Sequence, residues 1–173
     1  MLTRRAFLQL ATGAAVGLCA RRAGALGDRE KFQIAQLVHG GNWRPRATAL
    51  RRLHWEIDKR TSIDVKMEPA EVKPADPELH RYPFLYLAGD GAFPAPTEDE
   101  VGRLRRHLQA GGFLVADNAE GRPGGGFDRS VRALAERLFR SEPLQKLPDD
   151  HVLFKSFYLL KGAPGRVAVV PYL

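Results

Sequence analysis

The chain has 173 residues, 44% hydrophobic and 27% charged, which suits one globular domain with its own core and excludes a disordered chain. Its net charge is +7, but four of the 27 basic residues (Arg4, Arg5, Arg21, Arg22) fall in the first 25 positions. Without them the balance is about +3 (23 basic against 20 acidic), an ordinary value that argues against a nucleic-acid partner. The one cysteine, Cys19, lies in the same leader, so the rest of the chain offers no disulfide, no thiol nucleophile and no thiolate metal ligand.

The leader comes first. Thr3-Arg4-Arg5-Ala6-Phe7-Leu8-Gln9 resembles the twin-arginine export signal: Ser or Thr, two arginines, any residue, then Phe-Leu. A moderately apolar stretch follows to Ala20, too short to span a bilayer, and Ala23-Gly24-Ala25 suits a small-residue cleavage site. Val16-Gly17-Leu18-Cys19 departs from a lipoprotein box at the bulky Leu18. The expected organisation is a signal peptide over 1–25 and a single domain over 26–173, periplasmic or otherwise exported, with no transmembrane helix in the mature chain.

The first strand is predicted over Phe32 to Val38, where apolar residues nearly alternate. It ends in His39-Gly40-Gly41-Asn42-Trp43. A helix carrying Leu50, Leu53, Trp55 and Ile57 follows, with Pro45 suited to its first turn. Ile63 to Met67 reads as a second strand, with Ile63, Val65 and Met67 on one face. Residues 68–81 contain Pro69, Pro74 and Pro77 and read as a loop with one helical turn near Glu78-Leu79.

The middle of the chain carries the strongest pattern. Phe84 to Ala88 is an unbroken apolar run, as in a strand covered on both faces, and stops at Gly89-Asp90-Gly91. Thr97 reads as an N-cap ahead of Glu98, Asp99 and Glu100, acids that a helix dipole favours in its first turn. Val101, Leu104 and Leu108 form one helical stripe, and Gly111-Gly112 ends the helix. Phe113 to Ala116 is another apolar strand, closed by Asp117-Asn118. Strand, helix and strand make a βαβ unit and predict a parallel sheet. Beyond the glycine-rich loop 121–126, a helix is predicted over Arg129 to Phe139, a linker over Pro143 to Pro148, a strand or irregular packed segment over His151 to Leu160, and a last strand over Val167 to Val170. The chain stops about three residues later, which suggests a C-terminally shortened domain. The pattern predicts an α/β three-layer sandwich with a mainly parallel sheet. Arg51, Arg52, Arg103, Arg105 and Arg106 are expected on solvated helix faces.

Ligands of open parallel sheets sit outside the strand carboxyl ends. The candidate ligand-binding residues are therefore His39, Gly40, Gly41, Asn42, Trp43, Asp90, Asp117, Asn118, Asp128 and His151. They include residue types suited to acid–base or hard-metal chemistry, but none has diagnostic metal spacing. Each also fits a structural part: Asp90 and Asp117-Asn118 as turn formers, His151 as a cap, Trp43 as a core plug. The glycine loop lacks both the Gly-Lys-Ser/Thr of a phosphate loop and the dinucleotide spacing, so no cofactor is predicted.

Several phrases resemble one family. Phe-Gln-Ile-Ala-Gln-Leu-Val-His-Gly-Gly-Asn-Trp-Arg-Pro, Tyr-Pro-Phe-Leu-Tyr-Leu-Ala-Gly-Asp-Gly, Leu-Gln-Ala-Gly-Gly-Phe-Leu-Val-Ala-Asp-Asn and Phe-Asp-Arg-Ser are similar to the bacterial family DUF4159. Leu147 to Phe154 is similar to its Asp-His-Pro-Phe segment, with Val152 in place of proline. The resemblance spans about residues 31–160. It implies a flavodoxin-like sandwich akin to class I glutamine amidotransferases, whose cysteine nucleophile follows the strand that here is Phe113 to Ala116. Asp117-Asn118 stands at that place, which excludes amidotransfer through a thioester. The resemblance also implies membrane-associated assemblies as a setting. The function expected from the whole is an exported, non-catalytic module that binds a small ligand or a protein partner. The alternative is a periplasmic hydrolase using His and Asp at the strand ends, with or without a metal.

Overall fold

The computed structural model describes residues 30–156, together with Gly27, Leu159 and the pair Val169–Val170. Residues 1–25, where a leader is expected, and Val167 and Ala168 of the predicted last strand lie outside the described residues. Four strands form one sheet: β1 (Ala35–Leu37), β2 (Ala70–Val72), β3 (Phe84–Gly89) and β4 (Phe113–Asn118). All pairings in it are parallel and the order is β2-β1-β3-β4. This is the flavodoxin-like order, which reverses direction between β1 and β3.

Three helices cover the sheet: α1 (Ala49–Arg60), α2 (Glu98–Gln109) and α3 (Gly126–Leu138). On one face Ala35, Leu37, Leu85 and Leu87 pack with Val101, Leu104 and Leu108 of α2 and with Phe127, Leu134 and Leu138 of α3. Side chains of successive strand residues alternate between faces. Ile34 and Gln36, on the opposite face, are buried as well, and Leu50 and His54 are the buried residues of α1. The layers are therefore helix, sheet, helix.

The βαβ unit forms as its local signals dictate. Thr97 Oγ1 accepts the Glu100 N–H at 3.3 Å, and Glu100 Oε2 accepts the Thr97 N–H at 2.8 Å. This reciprocal capping box fixes the start of α2. β3 and β4 pair along their whole length, from Phe84 with Phe113 to Gly89 with Asn118.

Two expectations are corrected. Ile63 to Met67 is not a strand: Val65 makes one isolated parallel bridge to Phe32, and β2 forms at Ala70–Val72 inside the predicted loop. The cause is a bulge. Residue 65 pairs with 32 but 70 pairs with 35, so the outer segment runs two residues long. The imidazole of His54 fills the gap. Its Nε2 accepts the Ile34 N–H at 3.0 Å, and its Nδ1–H donates to the Met67 carbonyl at 2.9 Å. The side chain thus replaces the missing rungs of the backbone ladder. The predicted linker 143–148 is also wrong in part, because β5 (Gln145–Lys146) pairs antiparallel with β6 (Val169–Val170) in a separate two-stranded sheet.

Helix faces differ in detail from the prediction. Trp55 is 41% exposed and carries the Arg52 guanidinium 4.3 Å above its ring. The buried stripe of α1 runs through Leu50 and His54, one turn apart. Arg105 is half-buried rather than fully solvated: its Nε donates to the Leu138 carbonyl at 2.8 Å and its Nη2 to that of Arg137, binding α2 to the end of α3. Among the described residues no helix is long and apolar enough to cross a membrane.

Candidate functional site

The parallel sheet brings the ends of β1, β3 and β4 to one rim. There the loops after β1 and β3 are bonded to each other across the point where the strand order reverses. His39 Nε2–H donates to the Ala88 carbonyl at 2.8 Å, and its Nδ1 accepts the Gly41 N–H at 3.0 Å. Both ring nitrogens are thus engaged by backbone, in the neutral tautomer. The ring also lies 4.7 Å from that of Phe93, centroid to centroid. Asn42 Nδ2 donates to Asp90 Oδ2 at 2.7 Å. Gly40 packs so closely on Pro94 that a Cβ would sit 2.9 Å from its Cγ. Trp43 is half-buried, and its carbonyl accepts from Gln36 Nε2 at 2.5 Å.

On the neighbouring strand, Asp117 forms a second cluster. Its Oδ2 accepts the Tyr86 hydroxyl at 2.5 Å and lies 3.3 Å from Arg46 Nε. Register explains the meeting: Asp117 pairs with Ala88, which shares a face with Tyr86 two residues earlier. Burial first, and donation to Asp117 second, push the Tyr86 hydroxyl well above its ordinary value. It therefore keeps its proton and acts as a donor. The side chains of Arg46 and Asp117 remain 45% and 28% exposed, so a charged pair faces solvent at the rim.

The glycine loop turns inward on an acid that sequence reasoning passed over. Asn118 closes the loop, accepting the Gly121 N–H and donating to the Arg122 carbonyl. Glu120 Oε2 accepts the Phe127 N–H at 3.2 Å, and Oε1 accepts Arg122 Nε at 2.7 Å. A Cβ on Gly125 would run into this carboxylate. The Arg122 bond, and then the backbone N–H of Phe127, hold Glu120 below its ordinary value. The amino end of α3, where an external anion would otherwise bind, already holds an anion of the chain itself.

The remaining candidates are structural in their bonding. Asp128 Oδ2 accepts the Gly124 N–H at 2.8 Å, and both its oxygens accept from Arg132. Burial raises its pKa, but Arg132 and the Gly124 N–H outweigh burial and lower it overall. His151 Nδ1 accepts the Leu153 N–H at 3.2 Å, capping the 3-10 turn Val152–Lys155. Among the described residues, no hydrogen bond, ion pair or ring contact joins it to His39, Asp90 or Asp117. Nor, among them, do three His, Cys, Asp or Glu side chains stand together as metal ligands would.

The rim therefore unites His39, Asn42 and Asp90 in one cluster and Asp117 with Arg46 and Tyr86 in another, while His151 stays apart. Arg46, Tyr86 and Glu120 were not foreseen. Only Tyr86 had a signal: a hydroxyl inside an otherwise apolar strand.

A parallel sheet in this order, with helices on both faces and a polar carboxyl rim, defines a flavodoxin-like α/β domain. The family model for the domain of unknown function DUF4159 matches residues 33–171, and the chain belongs to that family. Comparison with curated proteins gives no match.

Proposed function

We propose that this domain is an exported, non-catalytic binding module with a glutamine amidotransferase-like fold, which takes a small ligand or a protein partner at the rim around Arg46, Asp117 and Tyr86. One observation carries the reading. The rim's polar side chains are committed to each other or to backbone: His39 to Ala88 and Gly41, Asn42 to Asp90, and Asp117 to Tyr86 and Arg46. A general base needs a free lone pair within reach of a substrate proton. His39 has none, and one oxygen of Asp117, Oδ2, is already taken by a hydroxyl and a cation. The turn at which amidotransferases carry cysteine is Asp117-Asn118 here. What the rim does offer is a fixed, exposed guanidinium and carboxylate, which suits recognition of a charged group.

The test is a thermal-shift screen of the purified protein against sugars, nucleotides, divalent metals and peptidoglycan fragments. A ligand at about a hundredfold excess over its dissociation constant stabilises the fold by about 2.7 kcal/mol, a rise of several degrees. Asp117→Ala should abolish that rise. A rise indifferent to Asp117 would move the site elsewhere. A stoichiometric metal found by elemental analysis of fresh protein would favour the hydrolase instead.

The partner is proposed to be a membrane-associated assembly outside the cytoplasm, reached through the twin-arginine leader. Replacing both Arg4 and Arg5 with lysine should leave the precursor in the cytoplasmic fraction, whereas unchanged export would remove the basis for this address.

A further inference from the structure

A cleft of about 360 Å³ opens at the other end of the sheet, beside the amino-terminal ends of β3 and β4. One wall is the 3-10 turn Pro77–Arg81, and the other is the last two turns of α2 running through Gly112. Four basic side chains line it: His80, Arg103, Arg106 and His107. The one acid among its lining residues is Asp76, whose Oδ2 already accepts the Lys73 N–H at 2.7 Å.

These arginines differ from their neighbours. Arg44, Arg51, Arg52 and Arg81 pair with Glu71, Glu68, Glu56 and Glu78, and Arg105 is held by backbone carbonyls. Arg103 and Arg106 make no hydrogen bond or ion pair among the described residues. The cleft also contains an orphan. His107 is 9% exposed, and among the described residues its Nε2 is buried without a partner. The ring fits only because residue 112 is glycine, since a Cβ there would strike Nε2. Buried polar atoms in native proteins are almost always bonded, so an unbonded one in a cleft points to a missing partner. Burial, and then the nearby His80, hold His107 below its ordinary value, so the ring is neutral and has one N–H to give.

The carboxyl end of α2 carries about half a negative charge, which by itself favours basic residues there. Two full guanidinium charges outweigh that half charge and the Asp76 carboxylate together, which leaves the cleft weakly positive. Leu79 and Pro83 supply an apolar wall.

We propose that this cleft binds a small organic anion, with Arg103 and Arg106 gripping a phosphate or carboxylate head, His107 giving its one N–H to the same head, and the apolar body lying on Leu79 and Pro83, while His80 spends its Nδ1–H on the Pro77 carbonyl at 2.8 Å. The site is separate from the rim and stands without it.

Phenyl phosphate and benzoate are the probes, added to the purified protein with sodium chloride at equal ionic strength as the control. At least one should raise the melting temperature by several degrees beyond the salt control, and the larger rise names the preferred head. The double variant Arg103→Gln/Arg106→Gln changes two exposed side chains, so it should fold normally and lose the rise. In the wild type the imidazole nitrogen resonances of His107 should move during the titration, and in the variant they should stay still. Asp117→Ala should leave the rise intact, which separates this site from the rim. No rise with either probe beyond salt, or a rise that survives the double substitution, would overturn the proposal.

Discussion

His54→Ala is expected to destabilise the protein by about 4 kcal/mol, read from the urea midpoint at constant slope. Three losses combine. The Ile34 N–H loses its acceptor and the Met67 carbonyl loses its donor. A fully buried ring leaves a cavity between α1 and the sheet. A histidine in the interior is easily mistaken for a ligand or a catalytic base. Here it is the part that lets β1 pair with a neighbour two residues out of step. A loss below about 1 kcal/mol would mean that the backbone closes the bulge without the ring, and this account of β2 would fail.

Gly89→Ala should cost about 3 kcal/mol, because overpacking a tight interior forces side chains and backbone apart. Gly89 ends β3 where the Phe127 ring lies flush against its Cα, and a Cβ there would overlap that ring. Phe127 is 1% exposed and sits in the first turn of α3, so it has nowhere to withdraw. A double-mutant cycle checks the mechanism: Phe127→Leu should relieve part of the penalty in the Gly89→Ala background. Strict additivity would show that the cost arises elsewhere. Because Gly89 precedes Asp90, the same substitution should also disturb the Asn42–Asp90 bond at the rim.

Gly89 also bears on the candidate site, because it ends β3 at the carboxyl rim. In doubly wound sheets the crevice where strand order reverses is open to a ligand. Here the bonds His39–Ala88 and Asn42–Asp90 tie the two loops together at that point. Access is left to the flank beside β4, where Arg46 and Asp117 face solvent. That displacement is why the exposed pair, rather than the histidine, is the better candidate for recognition.

The sequence was most informative where the deciding interactions are short in chain distance. Thr97 and Glu100, three residues apart, announced the start of α2, and the apolar runs from Phe84 and Phe113 announced parallel strands. The errors have equally physical causes. The alternation at Ile63, Val65 and Met67 imitates a strand, yet the pairing shifts outward past Pro69, which has no N–H to donate. Gln145–Lys146 has no apolar signature and becomes a strand only because Val169–Val170 lies beside it. Glu120 looked like one more polar loop residue until the loop folded back on it.

The polar types at the strand ends, the parallel βαβ unit and the absence of cysteine after position 19 all follow from the order of residues. Periodicity, capping and composition need only near neighbours or none. Which groups are free and which are spent was decided in three dimensions. His39 meets Ala88 across 49 positions and Tyr86 meets Asp117 across 31, and such meetings depend on strand order and register. A side chain's chemistry is written in its identity, but its availability depends on what the fold places within about 3 Å of it.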